Sequence, residues 1–76
     1  MEIISMSALR PGEGGIVTET APQGEMRRRM RDIGLIPGTT VECIGRSPLG
    51  DPAAFRICGT VIALRCTDCE RVLVRR

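Results

Sequence analysis

The sequence has no histidine, no lysine, no tryptophan and no tyrosine, and Phe55 is its sole aromatic residue. Each absence removes a class of function. Without histidine there is no imidazole general base and no His-containing zinc site. A single Phe builds neither a stacking platform for single-stranded nucleic acid nor an aromatic-walled groove for polyproline. Long apolar runs are missing too. The longest, Val61-Ile62-Ala63-Leu64, is far short of the about 20 residues of a membrane helix, so no direct membrane insertion is expected. The opening Met1-Glu2-Ile3-Ile4-Ser5 has neither the positive start nor the apolar stretch of a secretory signal. No nucleophile–base pair or acid dyad is recognisable, which argues against an enzyme. With no helix-turn-helix, the chain is not a DNA reader.

What is present is compact and arginine-rich. Seventy-six residues are read as one domain over 1–76. A chain of this size buries only about 60% of its unfolded surface, so its core is small. The basic residues are all Arg, 11 against 9 Asp and Glu. Coding bias in a GC-rich genome accounts for this most simply; selection for bidentate anion binding is the alternative. The net charge of +2 demands neither nucleic acid nor acidic lipid as a partner. Four cysteines suit a reducing compartment.

Ile3, Met6 and Leu9 recur at a spacing of three, which suits an opening strand entering a helical turn. Gly15–Thr20 is rich in β-branched residues and reads as a strand. Residues 24–34 form the one good helix, with Met26, Met30 and Ile33 on one arc and Arg27, Arg28 and Arg31 facing away. Arg29 stands at the margin, placed to pair with a carboxylate or carbonyl across the fold. Glu25 suits the first turn, with Arg28 or Arg29 in reach, and Arg28 is in reach of Asp32. Gly34 is placed as the residue that ends the helix, and Pro37-Gly38 fits a type II turn. The period then drops to two. Val41 and Cys43 share a face, as do Phe55 and Ile57, with Arg56 and Cys58 on the other. Ile62 and Leu64 point inward, Val61 and Leu73 outward. Cys66–Glu70 reads as one helical turn before a last strand containing Val72 and Val74. The fold expected is mainly β, a small five-stranded SH3-like barrel with one inserted helix and a helical turn before the last strand.

Four segments in order resemble the ferrous iron transport protein A family. They are Leu9-Arg10-Pro11-Gly12-Glu13-Gly14, the stretch from Met26 to Thr39 with its Gly34-Leu35-Ile36-Pro37-Gly38, Ser47-Pro48-Leu49-Gly50-Asp51-Pro52, and the closing pair Ile62–Arg65 and Val72–Val74. The likeness covers nearly the whole chain. Met30 replaces the family's usual Leu and Cys69 a small core residue, both conservative in volume. The resemblance implies an SH3-like module in the cytoplasm. It also implies a non-enzymatic accessory role for the membrane GTPase that imports Fe²⁺, transporter protein B of the same system. The fold is similar as well to the C-terminal domain of metal-dependent repressors, so a metal-responsive regulatory module is the alternative.

The residues expected to carry docking are Arg27, Arg28 and Arg31, as a cationic helix face, with Leu49 and Asp51 in the two-proline loop. No cofactor is expected. Cys66 and Cys69 are half of a zinc ligand set, but Cys43 faces in and Cys58 out, so four thiolates do not converge. Fe²⁺ ligation by Glu13, Glu19 and Asp51 has no support in their spacing. A homodimer through Val61 and Leu73 is left open.

Overall fold

The computed structural model describes residues 2–20 and 25–76. The elements are β1 (Ile3–Ser5), a 3-10 turn (Met6–Ala8), β2 (Gly14–Thr20), α1 (Glu25–Asp32), β3 (Thr40–Arg46), β4 (Ala53–Ile57), β5 (Thr60–Leu64), α2 (Cys66–Cys69) and β6 (Val72–Arg75). All strands pair antiparallel in one sheet of order β1-β6-β2-β3-β4-β5.

The expected mainly β fold is present, with two corrections. There are six strands, not five, because the opening segment pairs with β6 through Ile3↔Arg75, Ile4↔Val74 and Ser5↔Leu73. The opening segment, read as a strand entering a helical turn, is thus a full member of the sheet and brings the count to six. The sheet also stays open. β1 and β5 are its edges and do not pair with each other, so "barrel" describes its curl rather than a closed ladder.

The core follows the alternation. Val41, Cys43, Phe55, Ile57, Val72 and Val74 are fully buried, together with Met6 and Leu9 from the opening segment. Phe55 is the largest of these side chains, and its truncation to Ala would cost about 3–5 kcal/mol. Ile62 and Leu64 are half-buried and pack against this cluster. Val61 faces out, 54% exposed, whereas Leu73 is half-buried. A bulge between Cys43 and Gly45 interrupts the β3–β4 register, just after the inward Cys43, and Ile44 faces solvent by alternation.

Helix α1 docks through Met30, 4% exposed, with Ile33 packed against the core. The expected start at Gly24 and the side chains of Glu25 and Met26 lie outside the described residues. The C-terminus closes as a Schellman motif: Leu35 N–H donates to the Met30 carbonyl at 2.8 Å and Gly34 N–H to that of Arg31 at 3.1 Å. Gly34 has φ +94°, which only glycine adopts without strain. The apolar contact that accompanies this motif is supplied by Met30 and Leu35, both buried. Pro37 and Gly38 then form the type II turn, with Gly38 at φ +96° and Thr39 N–H bonded to the Ile36 carbonyl at 3.1 Å.

Candidate functional site

Arg27, Arg28, Arg29 and Arg31 are all exposed on α1. The ion pairs among the described residues lie elsewhere, at Arg56–Glu42, Arg76–Glu2 and Arg76–Glu13. The expected Arg28–Asp32 pair is not among them. Arg29 makes no ion pair among these either, but shares a groove with Asp68. The result is a cationic face set by the buried arc: once Met30 enters the core, 100° per residue carries Arg27, Arg28 and Arg31 outward.

Grooves flank this helix on two sides. One, of about 430 Å³, is lined by Thr18 and Glu19 of β2, Arg27 and Arg31 of α1, and Leu35, Ile36 and Pro37 beyond it. Ile36 is 47% exposed, so an apolar side chain sits beside two cations. The other, about 130 Å³, is bounded by Arg29, Met30 and Ile33 on the helix, by Ile62, Ala63 and Leu64 on β5, and by Asp68.

The two-proline loop is a turn held by its own hydrogen bonds. Gly50 N–H bonds to the Ser47 carbonyl at 2.8 Å, Ser47 N–H to the Pro52 carbonyl at 3.1 Å, and Ser47 Oγ to the Asp51 carbonyl at 2.7 Å. This braced turn displays Leu49, 95% exposed. Asp51 turns back into the fold: its Oδ1 accepts the backbone N–H of Cys66 at 3.0 Å. It therefore satisfies one of the donors left open at the start of α2. Leu49 and Asp51 line none of the grooves that the α1 arginines line.

The residue that sequence reasoning missed is Arg46. From the end of β3 its Nη2 donates to the carbonyls of Ser7 at 2.6 Å and Leu9 at 3.0 Å. Its Nη1 reaches the Gly50 carbonyl at 3.5 Å and Cys66 Sγ at 3.4 Å. One guanidinium thus joins the 3-10 turn, β3, the two-proline loop and α2, a role suited to its fixed fork of donors. Its only signal in the sequence is its place immediately before the loop.

The cysteines are dispersed. Cys43 and Cys69 are buried, Cys66 is half-buried, and Cys58 is exposed. Burial pushes the Cys69 thiol up to about 12, helped by nearby Cys66 and Asp68, and desolvation raises Cys43 as well. A thiol that stays protonated is a poor metal ligand. The carboxylate of Glu13 is taken up by Arg10 N–H at 2.7 Å and Arg76 Nη1 at 2.9 Å. Among the described residues no three His, Cys, Asp or Glu side chains are grouped so as to hold a metal ion, and none of their helices is long and apolar enough to cross a membrane. What the arrangement offers is a surface for binding, cationic with apolar contacts, on a rigid scaffold.

Comparison with known proteins agrees with the fold and with the resemblance. The chain is 28% identical over 69 residues to an Fe(2+) transport protein A/Fe(2+) transporter FeoB fusion protein of Porphyromonas gingivalis, a match that takes in 91% of this chain and 8% of that protein. Among solved structures, an FeoA-like protein from Clostridium acetobutylicum is 28% identical, with TM-score 0.88 over 99% of this chain and 87% of that one. The zinc-complexed FeoA of Stenotrophomonas maltophilia, described as an SH3 domain protein, is 25% identical, with TM-score 0.83 over 95% and 89% of the two chains. A manganese-dependent transcriptional repressor, 18% identical, shares the fold alone, at TM-score 0.87 over 99% of this chain and 37% of its own. The family description that matches is the FeoA domain, over residues 4–76, and the chain belongs to the FeoA family of ferrous iron transport.

Proposed function

We propose that this chain acts as a non-enzymatic cytoplasmic module, one domain over 1–76, that docks on the GTPase portion of the membrane ferrous iron transporter and promotes or regulates transport. The observation that carries the reading is the α1 face. Arg27, Arg28 and Arg31 are exposed, outside the described ion pairs, and two of them flank Ile36 in a groove of about 430 Å³. Such a face fits an acidic surface with an apolar contact at its centre. The fusion of the two components in one Porphyromonas gingivalis chain supports association between them. Leu49, held out on its braced turn, is a second contact, and Asp51 serves docking by holding that turn against α2. A metal-responsive role through Cys66 and Cys69 is disfavoured by the burial of Cys69 and its high pKa.

Binding of the intact chain to the cognate transporter's cytosolic GTPase portion, measured in each nucleotide state, tests the proposal. The triple variant Arg27→Glu, Arg28→Glu, Arg31→Glu should fold normally and lose about tenfold or more in affinity, chiefly through slower association in low salt. Unchanged affinity in that variant, or no binding by the wild type in any state, would remove the reading.

A further inference from the structure

The outer edge of β5 is bare. β5 pairs with β4 along its whole length, from Ile57↔Thr60 to Ala53↔Leu64, and ends the strand order. The hairpin turn is Cys58-Gly59, both at positive φ (51° and 79°), so Ile57 and Thr60 form the closing hydrogen-bonded pair. In an antiparallel ladder hydrogen-bonded and non-bonded pairs alternate. Ile62 and Leu64 therefore bond to β4, and the N–H and C=O groups of Val61 and Ala63 point away from the sheet. Among the described residues neither makes a further backbone bond.

Edge strands are normally protected by charge, proline, a bulge or a covering element. Thr60-Val61-Ile62-Ala63-Leu64 has no charge and no proline, and its register with β4 is unbroken. Beside it lies the apolar groove between Ile62, Leu64, Met30 and Ile33, about the size of one side chain. Backbone groups in a row with a pocket alongside are what strand addition uses.

We propose that β5 receives an extended segment of the transporter's GTPase portion as a seventh strand. The segment places one apolar side chain in the Ile33–Ile62–Leu64 groove and a carboxylate near Leu64. This rests on the docking function proposed above and names the element that mediates it. Charge selects the occupant. Arg29 and Arg65 share a groove with Leu64 against the single carboxylate of Asp68, while at the other end Arg31 is balanced by Asp32 beside Thr60. Two copies paired antiparallel about Ile62 would set the surplus cation of one only against the balanced Arg31 and Asp32 of the other. A partner strand ending in a carboxylate answers that surplus directly.

The test is backbone amide hydrogen exchange of the ¹⁵N-labelled chain, alone and with the cognate GTPase portion, alongside the affinity of Ala63→Pro. Proline at 63 removes only an outward N–H, so β4–β5 pairing is kept. The expected result is that the Val61 and Ala63 amides slow by about tenfold or more on binding, and that Ala63→Pro weakens binding by a similar factor. Exchange on the wild-type chain decides the matter should the proline variant fold poorly. Binding with both amides unprotected overturns strand addition and leaves docking intact. No binding in any nucleotide state overturns both. Protection without partner, rising with the chain's own concentration alongside a dimeric mass, overturns the assignment in favour of a second copy.

Discussion

The carboxylate of Asp51 accepts the backbone N–H of Cys66 at 3.0 Å across fifteen positions of sequence. This makes Asp51 the cap of a helix that begins in another part of the chain. Asp51→Ala should destabilise the protein by about 1 kcal/mol, and Asp51→Asn, which keeps an acceptor oxygen, should recover most of it. Leu49→Ala, at the exposed tip of the same loop, should leave the urea midpoint unchanged. Equal losses for Asp51→Ala and Leu49→Ala would show that the loop, rather than the cap, is what matters.

Arg46 should be the most sensitive charged position in the molecule. Arg46→Met strips the Ser7, Leu9 and Gly50 carbonyls of their guanidinium donor, and a loss of about 2 kcal/mol is expected in equilibrium unfolding. Arg46→Lys should restore little, since an ammonium cannot span donors that diverge to several segments. A lysine variant of wild-type stability would show that charge, not geometry, is what the site requires.

Gly34 and Cys58 are coupled. A Cβ built on Gly34 would stand 2.7 Å from Cys58 Sγ, and Gly34 is at φ +94°. Gly34→Ala should therefore cost more than the about 1–2 kcal/mol of the left-handed backbone alone. In a Cys58→Gly background the steric part vanishes, and the cost of Gly34→Ala should fall toward that backbone figure. A double-mutant cycle measures the difference; strict additivity would mean the thiol simply swings aside.

Acid should act partly through Glu13. The Arg10 N–H bonded to its carboxylate, and then the Arg76 guanidinium, hold its pKa below the ordinary 4.5. The folded state thus binds this proton more weakly than the unfolded chain. Its stabilising contribution is complete above the unfolded value and is lost as pH falls through the lower folded one. Melting temperature against pH should fall less steeply in Glu13→Gln below about pH 4.5. Parallel curves for the two proteins would assign the acid sensitivity to other carboxyls.

Zinc should not stabilise this chain. With Cys69 buried and its thiol pushed up to about 12, Cys66 lacks a partner thiolate at neutral pH. Thermal melts with equimolar zinc and with a chelator should coincide, and a zinc-dependent rise abolished by Cys66→Ser would restore the metal-responsive reading.

The sequence displays whatever is local. Val41 and Cys43, Phe55 and Ile57, and Val72 and Val74 announce their buried face by alternation, and Met30 by its place on the helical arc. Gly34 and Pro37-Gly38 announce their turns, because positive φ leaves a compositional mark. The contacts that assemble the candidate surface leave none. Arg46 bonds to carbonyls 37 and 39 positions away, and any residue supplies a carbonyl. Asp51 has the same difficulty: in the sequence it is a loop acid, and only the approach of α2 makes it a cap. Openness of the sheet is equally hidden, since a closed and an open ladder share one pattern of inward side chains.

Glu2 and Arg76 exchange both backbone hydrogen bonds, at 3.0 and 2.9 Å, and Arg76 Nε adds an ion pair to Glu2 at 2.8 Å. The two ends of the folded unit are therefore neighbours, about 5.5 Å apart as bonded antiparallel residues are. The unit can be spliced into a loop of another protein without stretching either flank, or have its ends joined and be reopened at the Ser47–Gly50 turn. In evolutionary terms such a unit is a cassette, since adding to it or cutting it out disturbs a single margin of the sheet, where β1 meets β6.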